Sequence, residues 1–380
     1  MWYITVVLLL TIFSIRDYSK GKVTPRSLFN ILWLVLTFML VFRYGQGTDY
    51  YEYQLKYESL DSSGSFLVNT LYHGEIGWYM LTLAGNKLGM SFFFFNGIIS
   101  FVEMIMIRRF ILLYSPYRFL SLLLFYPTFY LTGCYSVIRQ GLELCLFLGI
   151  GVPLLLNKKT FKYLILIVCL SLIHTSAVAL LICPFLQNWK KNKYYLIAGI
   201  FLIIYGFKFI QGYFDWDSIG SYVGTNISIA GILVRVILLL LIWALYSLPH
   251  RIKGEASYND DVFFRIYLVG FIISLFFYNS ATLSQRLTMP FKAVEIVLLP
   301  ILIFSNQHYM RAIRDKTNKL IVSVLFFVVV LIMNVEFTKN IYSYLEQGNY
   351  YSWVTPFDYP YSSVFDQNKI RKYISNFDGE

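Results

Sequence analysis

Long apolar runs recur along this chain, and they are continuous rather than alternating. They cover residues 2–15, 28–43, 91–107, 117–133, 135–156, 194–210, 230–248, 263–279, 288–304 and 319–338, with one further run at 163–186. A helix of about 20 apolar residues crosses a hydrocarbon core of about 30 Å. Inside lipid, only helices and closed barrels satisfy every backbone N–H and C=O. Barrel strands alternate polar and apolar positions, and these runs do not. The pattern therefore predicts an all-α, polytopic integral membrane protein. A large soluble all-α core is excluded, because its helices would need polar faces.

Charge settles how the chain threads the membrane. Only 14% of residues are charged, against 57% hydrophobic, where soluble domains carry about 25% charged residues. The net charge of +11 points to topology rather than to nucleic acid, because basic residues stay in the cytoplasm. They cluster at Arg16, Lys20, Lys22 and Arg26; at Arg108, Arg109 and Arg118; and at Lys158, Lys159 and Lys162. Later clusters are Lys190, Lys191 and Lys193; Arg251, Lys253 and Arg265; and Arg311, Arg314, Lys316 and Lys319.

If 163–186 crosses once, these clusters fall on both sides. If it dips and returns near "IHTSA", all face the cytoplasm. The reading is thus a re-entrant hairpin with His174 at its outward tip. Each arm of roughly 11 residues rises only about 16 Å. A turn at that depth is tolerated inside protein or beside water, so His174 is expected to line an outward-open, water-filled cavity. In all, about 12 transmembrane or half-membrane helices are expected, with both termini outside.

Residues 1–338 then form a single membrane domain with an outer loop at 44–90, and 339–380 an extracytoplasmic tail rich in Tyr, Pro and Ser. Within the loop, Ile76 to Leu88 reads as a short amphipathic helix on the outer interface. The N-terminus lacks a basic n-region and a small-residue cleavage site, so it reads as a first span rather than a signal peptide.

Several polar groups collect on the outer side under this topology. Arg139 lies about one turn inside its span, beside Gln140 and Gly141. A guanidinium there either snorkels to the interface or binds an anion. Arg286, beside Gln285, precedes another span. Arg235 and Lys292 are weaker candidates for the same work. Glu143, at i+4 from Arg139, is placed to pair with it. Asp49 and Glu75 are outer-loop carboxylates.

Paired arginines suit phosphate oxygens, which their planar forks bind bidentately. A lipid diphosphate presents its anion at this depth. Fixed cations would stabilise charge on its leaving oxygen, and a His or carboxylate could take a proton from an acceptor hydroxyl. The many outer aromatics fit an interfacial belt, with sugar stacking as a second use. Cys134, Cys145, Cys169 and Cys183 lie in apolar runs without C-x-x-C spacing and read as small hydrophobes. The "DWD" triplet at Asp215–Asp217 is similar to the metal site of nucleotide-sugar transferases, but an outer loop is away from cytosolic nucleotide sugars. No metal site or cofactor is expected.

Four stretches carry a resemblance. They are "GTDYYEY" after the second span, "GEIGWYMLTLAGNKLGMSFFFF", the run from "YSVIRQGLELCLF" through "LIHTSAVALL", and the late "SQRLTMPF". In this order, over residues 45 to 290, the chain resembles the EpsG family of Wzy-like exopolysaccharide and capsule polymerases. That family commonly has Ala near the position of Gly141, a small-for-small difference. The resemblance implies a bacterial cytoplasmic-membrane glycosyltransferase that joins undecaprenyl-diphosphate-linked oligosaccharide repeat units at the outer face. Arg139 and Arg286 would then bind the diphosphate, and His174 would be a base or hydroxyl-positioning group. Asp49 and Glu75 are second candidates for the base. Membrane lipid and other polysaccharide-assembly proteins are the implied partners, and nucleic acid is not.

Two other classes stay open. A flippase or exporter of the same lipid-linked sugar would also use intramembrane arginines, but transporters commonly alternate access between internal repeats. An outer-face acyltransferase would need a nucleophile or paired acid that the sequence does not offer. Candidate groups gathered at one face favour the polymerase.

Overall fold

The computed structural model describes residues 2–60, 74–188, 194, 227, 229–253, 258–312, 316–347, 361 and 363–366. Residues 195–210 of the expected span 194–210, the Lys190 cluster, the Asp215–Asp217 triplet and most of the 339–380 tail lie outside these residues. Among the described residues the regular elements are helical, and one isolated antiparallel bridge joins Arg43 to Ser363.

In chain order the helices are α1 (Trp2–Lys20), α2 (Arg26–Val41), α3 (Tyr50–Glu58), α4 (Ile76–Lys87), α5 (Phe92–Tyr114), α6 (Arg118–Phe125) and α7 (Ile138–Leu146). They continue with α8 (Val152–Leu156), α9 (Thr160–Ile173), α10 (Cys183–Leu186), α11 (Ile229–Lys253), α12 (Tyr258–Phe276), α13 (Ala281–Lys292), α14 (Glu295–Ala312) and α15 (Lys316–Gln347). π-Helical segments at Tyr126–Cys134 and Phe147–Gly151 flank α7, and a 3₁₀ segment, Thr175–Ile182, precedes α10.

Among the described residues, four helical stretches are long and apolar enough to cross a membrane: Trp2–Lys20, Ile138–Leu156, Gly231–Leu248 and Thr317–Ile341. A fifth results if α13 and the helix after it, bent by 45°, count as one broken span. The expected dozen was a count over the whole chain, of which 195–210 lies outside the described residues; length and charge account for several of the others. Arg26–Val41 has 16 residues and Thr160–Ile173 has 14. Every 18-residue window of α5 contains Glu103, Arg108 and Arg109, and every such window of α12 contains Asp260, Asp261 and Arg265. The single span expected at 288–304 is in fact two helices. Pro290 removes a backbone donor from the last turns of α13, and the chain bends before Glu295.

The chain forms two compact units. The first comprises Met1–Gly149, Leu172–His174 and Phe327–Glu380. In it α1 packs on α6, α2 on α5, and α5 on α7. The far half of α15 joins through Asn334 Nδ2, which donates to Thr11 Oγ1 (3.1 Å), and through Thr128 Oγ1, which donates to Glu336 (2.9 Å). In the π-helical segment before α7, the Tyr135 N–H reaches Tyr130 O (3.0 Å) and the Val137 N–H reaches Thr132 O (3.1 Å). Both are five-residue steps, a pattern that often marks functional sites.

A polar knot lies inside this unit. Arg43 and Glu103 are both fully buried. Arg43 donates to Leu40 O (2.9 Å), Ser100 Oγ (2.9 Å) and Cys134 O (3.1 Å), with its guanidinium 5.0 Å from the Tyr135 ring. Both terminal nitrogens of this buried cation are thus bonded, while its Nε has no acceptor among the described residues.

The second unit comprises Ile150–Ser171 and Thr175–Phe326. Its first feature is a reversal of chain direction. Tyr163 Oη donates to Leu180 O at 2.8 Å. In a continuous helix, residues 17 apart would be about 26 Å distant, so the arms on either side of His174 lie side by side. Arg265 Nη1 donates to the carbonyls of Leu186 (3.0 Å) and Gln187 (3.2 Å), satisfying the end of the returning arm. α12 packs closely on α13, where the missing side chain of Gly270 admits Phe291. Asn306 of α14 donates to Leu245 O (2.8 Å) of α11.

Candidate functional site

Residues 44–60 and 74–90 are built into the first unit rather than laid on its surface. Tyr50, Tyr53 and Tyr57 recur at i, i+3 and i+7, which puts all of them on one face of α3. That face is buried against Trp78, Phe92, Phe95, Ile138 and Leu142. Tyr57 stacks on Phe95 with centroids 5.1 Å apart, and Trp78 meets Tyr53 edge-on at 5.8 Å. These aromatics are neither an interfacial belt nor exposed sugar platforms. They form the core that holds α3 and α4 against α5 and α7.

This packing brings Glu75 to Arg139. Glu75 stands just before α4 in extended geometry, with no side-chain cap bond to that helix. Its carboxylate instead bridges two groups from elsewhere in the chain. Oε2 accepts a short charged hydrogen bond from Arg139 Nη1, and Oε1 lies 3.2 Å from His174 Nδ1. Arg139 Nε also donates to Tyr53 Oη (3.3 Å). The side chains of Arg139 and Glu75 are each 21% exposed and His174 is buried. Arg139 is therefore gripped by the protein rather than snorkelling to an interface. Its ion pair is long-range, with a partner 64 positions away.

Two glycines make the convergence fit. Gly74 has φ +105°, and a Cβ there would collide with Arg139 Nη1. A Cβ on Gly77 would meet Leu172 O at 2.6 Å. The "GEIG" stretch thus admits the guanidinium on one side of Glu75 and the His174 segment on the other. A third glycine acts lower down. A Cβ on Gly141 would lie 2.7 Å from Glu103 Oε1 and 2.9 Å from Gly133 O. An Ala at this position would therefore crowd Glu103 and Gly133 in this chain.

Electrostatics fix the protonation pattern. Burial alone would raise the Glu75 carboxyl. The hydrogen bond from His174 and the charge of Arg139 outweigh it and hold the group well below the usual carboxylate range. Glu75 is thus ionised at neutral pH and can only accept. The proton of a neutral His174 ring then sits on Nδ1, facing Glu75, and Nε2 is the basic nitrogen.

The remaining candidates are placed as follows. Asp49 begins α3 and accepts from Thr48 Oγ1 (2.9 Å). Gln140 is buried on α7. Arg286 and the exposed Gln285 lie on α13 in the second unit. Arg235 and Lys292 belong to that unit as well and line one cleft. Arg235 Nη1 donates to Ser284 Oγ (3.1 Å), and Lys292 Nζ lies 3.8 Å from Glu295 Oε1. Among the described residues, no three His, Cys, Asp or Glu side chains converge as metal ligands would.

Tyr53, Arg43 and Glu103 received no role from the sequence. The tyrosine spacing was the available signal for Tyr53. For Glu103 it was a carboxylate in the middle of an apolar run, which marks a site by default.

The sequence model of the EpsG family matches residues 26–347. No curated protein and no solved structure matches the chain.

Proposed function

The chain belongs to the EpsG family, and on that premise we propose that it is a polysaccharide polymerase of the cytoplasmic membrane. It joins undecaprenyl-diphosphate-linked oligosaccharide repeat units at the outer face, with about twelve crossing or half-crossing segments and both termini outside. The observation that carries this reading is the carboxylate bridge in which Glu75 holds both Arg139 and His174.

A carboxylate on Nδ1 orients an imidazole and favours its protonated form, leaving Nε2 as general base. The acceptor-sugar hydroxyl gives its proton to His174 Nε2 as its oxygen bonds to the donor's anomeric carbon. The bond from that carbon to the diphosphate breaks, and the diphosphate leaves with the electron pair. Arg139 acts here as a positioning residue: it fixes Glu75, and Tyr53 fixes Arg139. Glu75 thereby moves from candidate base to the group that orients the base. This differs from the expectation that Arg139 is itself a diphosphate ligand.

The test is polymer length in cells carrying His174→Ala, with membrane level checked. General-base loss lowers turnover about 10²- to 10⁴-fold, so single lipid-linked repeat units should accumulate outside. Polymer of normal length would sink the reading. Accumulation on the cytoplasmic side would make the chain an exporter.

A further inference from the structure

Where α2 begins and α5 ends, the first unit holds an arginine in a fixed geometry. We infer that Arg108 binds the headgroup of an anionic glycerophospholipid whose acyl chains lie along the exposed faces of α2 and α5. The inference needs these helices to sit in a membrane, and it uses none of the Glu75–His174 chemistry.

Arg108 is half-buried and held from two sides. Its Nε donates to Asn30 Oδ1 of α2 (3.1 Å), and its guanidinium lies 5.2 Å from the Trp33 ring. Trp33 is itself fixed, because its Nε1 donates to Met104 O (2.8 Å). Both partners of Arg108 are neutral, so neither cancels its charge. With Nε engaged and the indole alongside, the two terminal nitrogens form an oriented fork. That geometry binds phosphate oxygens in pairs.

The surroundings select a negative headgroup. Arg26, one turn before Asn30, and Arg109 are both exposed. The carboxylates of residues 16–35 and 100–118 are Asp17 and Glu103, and both are buried. Asp17 accepts a hydrogen bond from Thr24 Oγ1. An anionic headgroup is attracted to such a cluster of basic residues, whereas a zwitterionic one would bring its own ammonium against them. The apolar surface has the direction and length of an acyl chain. Ile98, Phe101, Ile105 and Arg108 stand at i, i+3, i+7 and i+10 on α5, and Asn30, Leu34 and Phe38 at i, i+4 and i+8 on α2. All five apolar side chains are exposed. From Arg108 to Ile98 is about 15 Å along the helix, half of a hydrocarbon core of about 30 Å. One leaflet's chain therefore matches the stripe, which a free phosphate would leave unused.

The experiment is lipid titration of the purified full-length protein in detergent, read by native mass spectrometry. Phosphatidylglycerol is the anionic probe and phosphatidylcholine the zwitterionic control, and the first should bind more tightly. Loss of a charged hydrogen bond costs about tenfold or more in affinity, so Arg108→Gln should remove that preference. Arg109→Gln, at an exposed position one residue on, should largely keep it. Asn30→Ala leaves every charge in place but frees the guanidinium, and should weaken phosphatidylglycerol about threefold to tenfold. Should Arg108→Gln fail to fold, Asn30→Ala decides alone. Equal wild-type affinity for the two lipids, equal losses in Arg108→Gln and Arg109→Gln, or unchanged binding in Asn30→Ala overturns the inference. Each would make the patch an ordinary basic end of a lipid-facing surface. Glycerophosphoglycerol, the headgroup without its chains, binding as tightly as the whole lipid would overturn it too, because the stripes would then contribute nothing. None of these results touches the Glu75–His174 chemistry, and normal polymer in His174→Ala would leave the lipid site standing.

Discussion

Arg139 and Arg235 are the same side chain in two settings. Arg139, in the first unit, is clamped by the Glu75 carboxylate and the Tyr53 hydroxyl. Arg235, in the second, is held by the Ser284 hydroxyl. A carboxylate partner largely cancels the charge seen by a further anion, and a hydroxyl partner does not. On the proposed mechanism, the first setting makes an arginine a strut. From sequence alone Arg139 ranked above Arg235 as an anion site because of its neighbours Gln140 and Gly141. On the proposed mechanism, the identity of its partner, a long-range feature, makes Arg139 a positioning residue.

Two substitutions probe how far the first setting depends on close backbone approach. The larger effect is expected from Gly77→Ala. Its methyl group would press on Leu172 O and push the His174 segment from Glu75. A displacement near 1 Å in a catalytic group costs about a hundredfold in rate, read as polymer formed at equal membrane level. Wild-type output would mean that the Glu75–His174 contact is dispensable. A smaller effect, on stability rather than chemistry, is expected from Gly141→Ala. Crowding Glu103 and the Gly133 carbonyl costs about 1–3 kcal/mol, seen as a lower unfolding temperature in detergent with little change in turnover per folded molecule.

The elements that sequence made legible are those specified by local pattern. The apolar runs locate the helices: the run at 230–248 lies within α11, and that at 135–156 covers α7 and α8. The positive-inside argument located a chain reversal at His174, and the Tyr163–Leu180 bond shows that the arms fold back. The helix expected from Ile76 to Leu88 is α4. What stayed hidden is long-range. Glu75 is 64 positions from Arg139 and 99 from His174, and nothing in local spacing selects it over Asp49. The bend between α13 and α14 was also missed, because an apolar run through Pro290 reads as one span. Arg43 was lost at a span boundary, although its bonds to Leu40, Ser100 and Cys134 make it a central buried cation of the first unit.

The central claim is that the Glu75–Arg139–His174 cluster performs chemistry rather than anchoring substrate. Its most direct test is steady-state transfer in proteoliposomes supplied with lipid-linked repeat units, comparing wild type with Glu75→Gln. A group that orients a general base acts in the transition state, so kcat should fall, by about tenfold to a hundredfold, while KM for the lipid-linked donor stays put. A raised KM with kcat preserved would contradict the account and make the cluster a substrate anchor.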